Sequence, residues 1–490
     1  MLFNSLEFLL FFPVFCALFA LTRGRARLGV SLVGSYIFYG WWDWRFLGLI
    51  ALLTAVNFAA GLAIEARRAR GGEGSARAVV AASVAVSLGV LAYFKYADFF
   101  LSSLRDALGA LGLGALSQHP LLAPLNALLP VGVSFYTFQT MSYTLDVARG
   151  ALPVERSPLR FAVFVSFFPQ LVAGPIVRAR DFLPQLAADR PLTAAAARVG
   201  LCEAAWGLTL KVALADNLAP ISDALFRDPA LKSPSAALAG VVAYTWQIYG
   251  DFAGYSLMAI GLARLLGYEL APNFRRPYAA RSLSDFWARW HISLSSWLRD
   301  YLYIPLGGNR GGAARTARNL LLTMLLGGLW HGAAWTFVAW GALHGAALVA
   351  QRLLAPLGAR LALLPAGAPL AAALGRLLTL AVVVAGWVLF RAQTLGDAAV
   401  VFGRLADLHD LSWADAGPRL ALAKGAGVIA LVALCEGLGA RLGARAWVER
   451  DDPRAPLSAA LAAALFVALA LCAVALLGSF RGGSFIYFQF

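Results

Sequence analysis

Charge is scarce in this chain. Only 14% of its 490 residues are charged, against roughly 25% in an average soluble domain. Acidic residues are the scarcer kind, 26 against 41 basic ones, and all but four of the basic residues are arginine. Cysteine is rare too. Cys16, Cys202, Cys435 and Cys472 lie in or beside apolar runs without metal-ligand spacing, so they read as small packing residues rather than a disulfide framework or a zinc site. No G-x-S-x-G elbow, Walker A loop, H-E-x-x-H or C-x-x-C motif is present, and no metal site is expected. No repeat of 20–50 residues is visible and no segment is long and polar enough to fold alone in water. The chain therefore reads as a single membrane domain over 1–490, with residues 236–351 as its chemically richest part.

What is abundant is apolar surface, 60% of the residues. A soluble fold of this size could not hide so much, whereas lipid is a solvent for it. The apolar residues come in runs near the ~20 residues a helix needs to cross the hydrocarbon core. They extend from Ser5–Thr22 through Ala236–Leu262 and Leu320–Ala350 to Leu457–Leu477. The runs are continuous and do not alternate, which argues against a membrane β-barrel. The fold class expected is an all-α polytopic membrane protein with roughly ten to twelve transmembrane or re-entrant helices. The first run has neither a basic flank nor a small-residue cleavage site and is expected to be a retained helix.

The net charge of +15 fits short arginine-rich loops facing the cytoplasm better than a nucleic-acid partner. On that rule the N-terminus lies outside. Phe161–Val177 is basic on both sides and contains Pro169, Gly174 and Pro175, so it reads as a hairpin that dips in and returns, buried in protein. Asp98–Asn126 and Ala392–Lys424 read as amphipathic or irregular surface pieces. Leu320–Ala350 is basic on both flanks yet short for two crossings at 1.5 Å per residue. One flank is therefore outside, or one limb is re-entrant.

Polar groups at bilayer depth point to function by default. Five histidines can be weighed singly. His331 sits in Leu329-Trp330-His331-Gly332-Ala333-Ala334-Trp335, inside a long apolar run. Burial disfavours the charged imidazole, and a neutral ring is a competent general base; the alternative is a hydrogen-bonded packing histidine. His291 lies in Ser284–Tyr301, with Trp287, Arg289, Trp290, Trp297 and Arg299. That stretch could equally be an interfacial helix anchored by aromatics and arginine. The following Gly307-Gly308-Asn309-Arg310 could cradle an anionic group. His344 would point about 140° away from His331 on one straight helix, so the two share a site only if the helix breaks, with Gly341 the expected break. His119 and His409 read as solvated loop residues. Asp251, in an apolar run, needs a cationic or donor partner: an imidazole, an arginine or another helix. Glu203, Lys211 and Asp216 pose the same question.

Together, Ser284–Arg310, Trp330-His331-Gly332 and Tyr249–Tyr278 with its Pro272-Asn273-Phe274-Arg275-Arg276-Pro277-Tyr278 ending resemble the membrane-bound O-acyltransferase family, above all its bacterial alginate O-acetyltransferase branch. Tyr39-Gly40-Trp41-Trp42, Phe168–Ile176, Ala215-Asp216-Asn217 and the ending Phe485–Phe490 are similar as well. The resemblance implies a ring of tilted helices around a funnel, in a multi-pass protein of the bacterial inner membrane. It implies a cytoplasmic acyl donor, with acetyl-CoA as substrate rather than bound cofactor. The acceptor would be an exported glycan such as alginate, reached directly or through a periplasmic partner. It places the family's catalytic histidine at His331 and the second polar position at His291. Trp287, Arg289, Trp290, Trp297, Arg299, Asn309, Trp330 and Asp251 are then candidates for binding the donor or substrate. One departure is Leu257, where family members often carry an acidic residue. A transporter or flippase, and a scaffold subunit without chemistry, are the alternatives.

Overall fold

The computed structural model describes residues 1–126, 128–362, 367–407, 419–442 and 456–479. His409, residues 443–454 of the last basic cluster and Phe485–Phe490 lie outside them. The described residues contain helices and turns and no strand. They divide into two compact units, residues 1–191 with 332–334, and 192–331 with 335 onward.

In the first unit α1 (Leu6–Leu21) starts where the Ser5 hydroxyl accepts the Phe8 N–H at 3.3 Å. It is followed by α2 (Gly24–Asp43), α3 (Leu47–Ala69), α4 (Glu73–Leu91), α5 (Ala97–Ala110), α6 (Val133–Ala148), α7 (Pro158–Ser166) and α8 (Ala179–Ala187). A buried amide ties three helices together. Asn57 of α3 accepts from Ser83 of α4 at 3.0 Å and from Thr144 of α6 at 2.8 Å, and donates to Ser87 at 3.3 Å. The segment Phe161–Val177 is not one long helix: α7 is only nine residues long and the chain that follows stays buried. Protein groups satisfy its backbone. The Phe164 carbonyl accepts from the side-chain amides of Gln139 and Gln170, and the Phe168 N–H donates to Ser35 at 3.0 Å. Gly132, at φ 76°, lies against this segment, where a Cβ would come within 2.5 Å of the Leu171 carbonyl oxygen. The piece from Asp98 to Asn126 is, as expected, partly helical and largely exposed, and His119 is exposed in it.

The second unit contains α9 (Ala194–Thr209), α10 (Asp216–Arg227), α11 (Pro234–Leu265), α12 (Leu283–Trp287), α13 (Ile292–Leu298), α14 (Ala313–His331), α15 (Trp335–Ala362), α16 (Gly367–Arg391), α17 (Leu395–Ala406), α18 (Arg419–Leu442) and α19 (Pro456–Leu477). α9 and α11 run antiparallel with their backbones in contact. Gly207 faces Gly254 and Gly200 faces Gly261, so that a Cβ on Gly207 would come within 2.5 Å of the Gly254 carbonyl. Gly254→Val is expected to lower stability by about 1–3 kcal/mol through overpacking. The check is the melting temperature in detergent, and an unchanged value would show that the two helices relax apart freely.

A wide π turn over 210–215 joins α9 to α10 and turns Lys211 inward. Its Nζ lies 2.7 Å from Asp216 Oδ1 and 2.7 Å from Asp251 Oδ1, with all three side chains buried. Asp251 thus takes Lys211 of this turn as its cation. Glu203 pairs with Arg264 at 3.0 Å.

The run Leu320–Ala350 is not one helix. α14 begins seven residues earlier, at Ala313, and ends on His331; α15 begins at Trp335. Two limbs of 19 and 28 residues are each long enough to cross a bilayer. The apolar run looked too short because the first turns of α14 carry Arg315 and Arg318. The break falls at 332–334 and not at Gly341. Gly341 serves packing instead: a Cβ there would overlap the Met324 carbonyl, and one on Gly328 the Phe337 carbonyl. Among the described residues six helical stretches are long and apolar enough to cross a membrane, against the ten to twelve expected. The chain is an all-α polytopic membrane protein.

Candidate active site

α12 is set by two caps. The Ser282 hydroxyl accepts the Asp285 N–H at 3.1 Å, and the Asp285 carboxylate accepts the Arg281 N–H at 3.0 Å. The same carboxylate takes the Arg289 guanidinium at 2.6 Å. Beyond α12 the chain pairs with the segment after α11. The Arg275 N–H donates to the Arg289 carbonyl and the Ile292 N–H to the Asn273 carbonyl, both at 2.9 Å. This pairing holds His291 in the left-handed region, φ 43° and ψ 54°, a conformation that raises the energy of a residue with a Cβ by about 1–2 kcal/mol.

His291 is fully buried. Its Nδ1 is 3.2 Å from Asn273 Oδ1. That oxygen also accepts the Ser293 N–H at 3.2 Å and the Ser293 hydroxyl at 2.9 Å, while Asn273 Nδ2 donates to Ser256 at 3.1 Å. A backbone N–H can only donate, so Oδ1 is the acceptor, His291 Nδ1 carries the proton, and Nε2 keeps a lone pair. Phe252 packs edge-on against the ring at 4.7 Å.

His331, 5% exposed, is the last residue of α14. Its ring centre is 6.2 Å from that of His291. Trp330 lies against both rings, at 5.8 Å from His291 and 5.0 Å from His331. Trp340 and Phe390 close on His331 at 5.2 and 5.1 Å. A cavity of about 200 Å³ reaches His331, lined also by Ser284, Trp287, Arg299, Tyr303 and Trp340. Its walls are mostly aromatic and aliphatic, with a few polar groups, the composition of a small-molecule site.

The other residues singled out in the sequence divide around this cavity. Trp287 and Arg299 line it, and Arg299 also bonds Asp300 at 2.7 Å. Asn309 stands one hydrogen bond back, accepting from the lining Tyr303 hydroxyl at 2.6 Å and from Arg352 at 3.1 Å. Trp290 faces away, stacked on Phe286 at 5.6 Å and against Trp387 at 4.7 Å, and Trp297 packs on Tyr301 at 5.0 Å. Arg289 is engaged by Asp285 and lies outside the lining, as does Asp251.

A family profile described as membrane-bound O-acyltransferase matches residues 115–375, which include every residue of this site except Phe390. The chain belongs to that family. This acyltransferase is 44% identical over 418 residues to a protein of Azotobacter vinelandii named a probable alginate O-acetylase, covering 85% of this chain and 80% of the relative. It is 33% identical to a peptidoglycan O-acetyltransferase of Helicobacter pylori, covering 78% of this chain and 74% of the relative. A teichoic acid D-alanyltransferase of Bacillus subtilis is 30% identical over 46% of this chain and 59% of its own.

Four residues in or beside this candidate site escape a reading of the sequence. Asn273 sits in a quoted motif, but its bond to His291 depends on two segments meeting 18 residues apart. Trp340 and Phe390 reach His331 from α15 and α16. His344 is fully buried between Trp340 at 4.8 Å and Trp287 at 5.1 Å. It comes beside the site because the chain breaks after His331. Asn273→Ala is expected to leave three buried donors without this acceptor and to lower turnover by up to about 10²-fold through misplacement of the His291 ring. Rate measurements on Ala and Asp variants check this, since Asp restores the acceptor and some of the rate.

Proposed function

We propose that this acyltransferase moves an acetyl group from a cytoplasmic thioester, acetyl-CoA, to a hydroxyl of an exported polysaccharide such as alginate, in the bacterial inner membrane. The transfer ends on the glycan itself or on a periplasmic partner that passes the group on. His331 takes the proton of the acceptor hydroxyl. The oxygen attacks the thioester carbonyl, the C–S bond breaks, and the proton moves to the departing thiolate, leaving one ester and one thiol. The Nε2 lone pair of His291 can accept a hydrogen bond from a second hydroxyl of the acceptor and so orient it, since the attacking hydroxyl's single proton goes to His331. Trp287 and Tyr303 bound the donor's path, and Arg299 offers charge to its anionic groups. The observation that carries the reading is the pair of buried imidazoles 6.2 Å apart, one of them lining a cavity. Relatives named for acetylating alginate and peptidoglycan supply the acyl group and the acceptor class.

The test is to give inverted vesicles acetyl-labelled CoA. Label that becomes covalently fixed to glycan or partner on the other face supports the proposal. Label that crosses unchanged would make the protein a transporter, and label that stays with CoA would make it a scaffold.

A further inference from the structure

The second unit holds another cavity, of about 470 Å³, that plays no part in the proposed transfer. Trp206 of α9, Ala253 and Leu257 of α11 and Phe466 of α19 give it a largely apolar wall. The helices around it present large apolar side chains outward, among them Leu201, Leu434, Leu465 and Leu469. Hydrocarbon is therefore the medium next to this part of the protein. An apolar space of this size is a poor home for water, which needs several polar partners.

One part of the lining differs. Arg275 and Arg276 also face the cavity and are exposed. The backbone pairing of Arg275 N–H to the Arg289 carbonyl at 2.9 Å and the left-handed Arg276, φ 49°, fix where the two side chains start. Neither makes an ion pair among the described residues. The two acids of the lining are already engaged: Glu203 holds Arg264 at 3.0 Å and Glu436 accepts the Tyr249 hydroxyl. An apolar chamber edged by two exposed guanidinium groups, of which Arg276 also lies within electrostatic reach of Glu436, matches a molecule with a hydrocarbon tail and an anionic head, and basic pockets between membrane helices bind such lipid head groups.

We infer that this cavity takes one acyl chain of an anionic phospholipid, whose phosphate sits against Arg275 and Arg276. The inference stands apart from the acyl-transfer proposal, because the site contains neither histidine. It does touch that site through Asn273 and its partner Ser256. Asn273 lines the cavity and bonds His291, so a seated lipid chain buttresses the wall that carries the imidazole.

The experiment is native mass spectrometry of the purified full chain after exchange into detergent holding equal amounts of phosphatidylglycerol and phosphatidylcholine. Wild type is expected to retain one phosphatidylglycerol in clear preference to phosphatidylcholine. Arg275→Gln with Arg276→Gln is expected to reduce that retention roughly 30-fold, the effect of two basic side chains at a lipid surface. Ala253→Phe keeps both arginines and is expected to abolish retention by filling the space. Arg404→Gln, on α17 outside the lining, leaves it unchanged. Size-exclusion profiles show that each variant is folded. Equal retention of the two lipids by wild type, or undiminished retention in Ala253→Phe, would overturn the inference. So would displacement of the lipid by millimolar inorganic phosphate alone, which would mark an anion site without a tail.

Discussion

His331→Ala is expected to reduce acetyl transfer by about 10²–10⁴-fold, the usual contribution of a positioned general base, while the protein still inserts and purifies as a folded species. The side chain ends α14 and packs on Trp330, Trp340 and Phe390, so its removal leaves a small gap among large aromatics that hold one another. The loss therefore falls on turnover rather than on folding. Initial rates with acetyl-labelled CoA in vesicles, with a melting curve of the same preparation, separate the two effects. A variant that transfers acetyl at the wild-type rate would remove His331 from the mechanism.

The second large effect is on stability. Lys211→Met leaves Asp216 and Asp251 facing the space where their shared cation was, each having stood 2.7 Å from Nζ. Breaking a buried ion pair from one side costs about 3–5 kcal/mol, because a charge remains without compensation. The variant is expected to aggregate on extraction or to melt far below wild type. Lys211→Met combined with Asp216→Asn and Asp251→Asn removes all three charges and is expected to recover most of the loss, since replacing a whole buried network by neutral groups is often nearly neutral. If the triple variant melts no higher than the single one, the ion network is not the source of the instability.

The parts of this structure legible in the sequence are those that lipid imposes. Apolar length marks helices, and proline with glycine marked Phe161–Val177 as a segment that is not one long helix, because both follow from the lack of hydrogen-bonding partners in hydrocarbon. The break after His331 was hidden for the opposite reason. Gly332-Ala333-Ala334 contains good helix formers, and nothing local separates a helix that continues from one that turns back. What decides it is the close fit of Gly328 and Gly341 against the facing backbone. His344 then returns beside Trp287 at the site, although a straight helix would have carried it away from His331. Polar residues beside or in the apolar runs drew attention to His291, His331 and Asp251. Their partners could not be read. Asp251 on α11 finds Lys211 in the turn after α9, and His291 finds Asn273 across two loops, pairings made only by the assembled unit.

The left-handed backbone at residue 291 decides how that position can be probed. A β-branched replacement such as Val meets a main-chain penalty before any question of reactivity arises, whereas Gly adopts the same angles freely and Asn tolerates them. A scan of residue 291 therefore convolves backbone tolerance with chemistry. His291→Gly and His291→Asn isolate the missing ring, and the bulkier variants report on the fold of the loop.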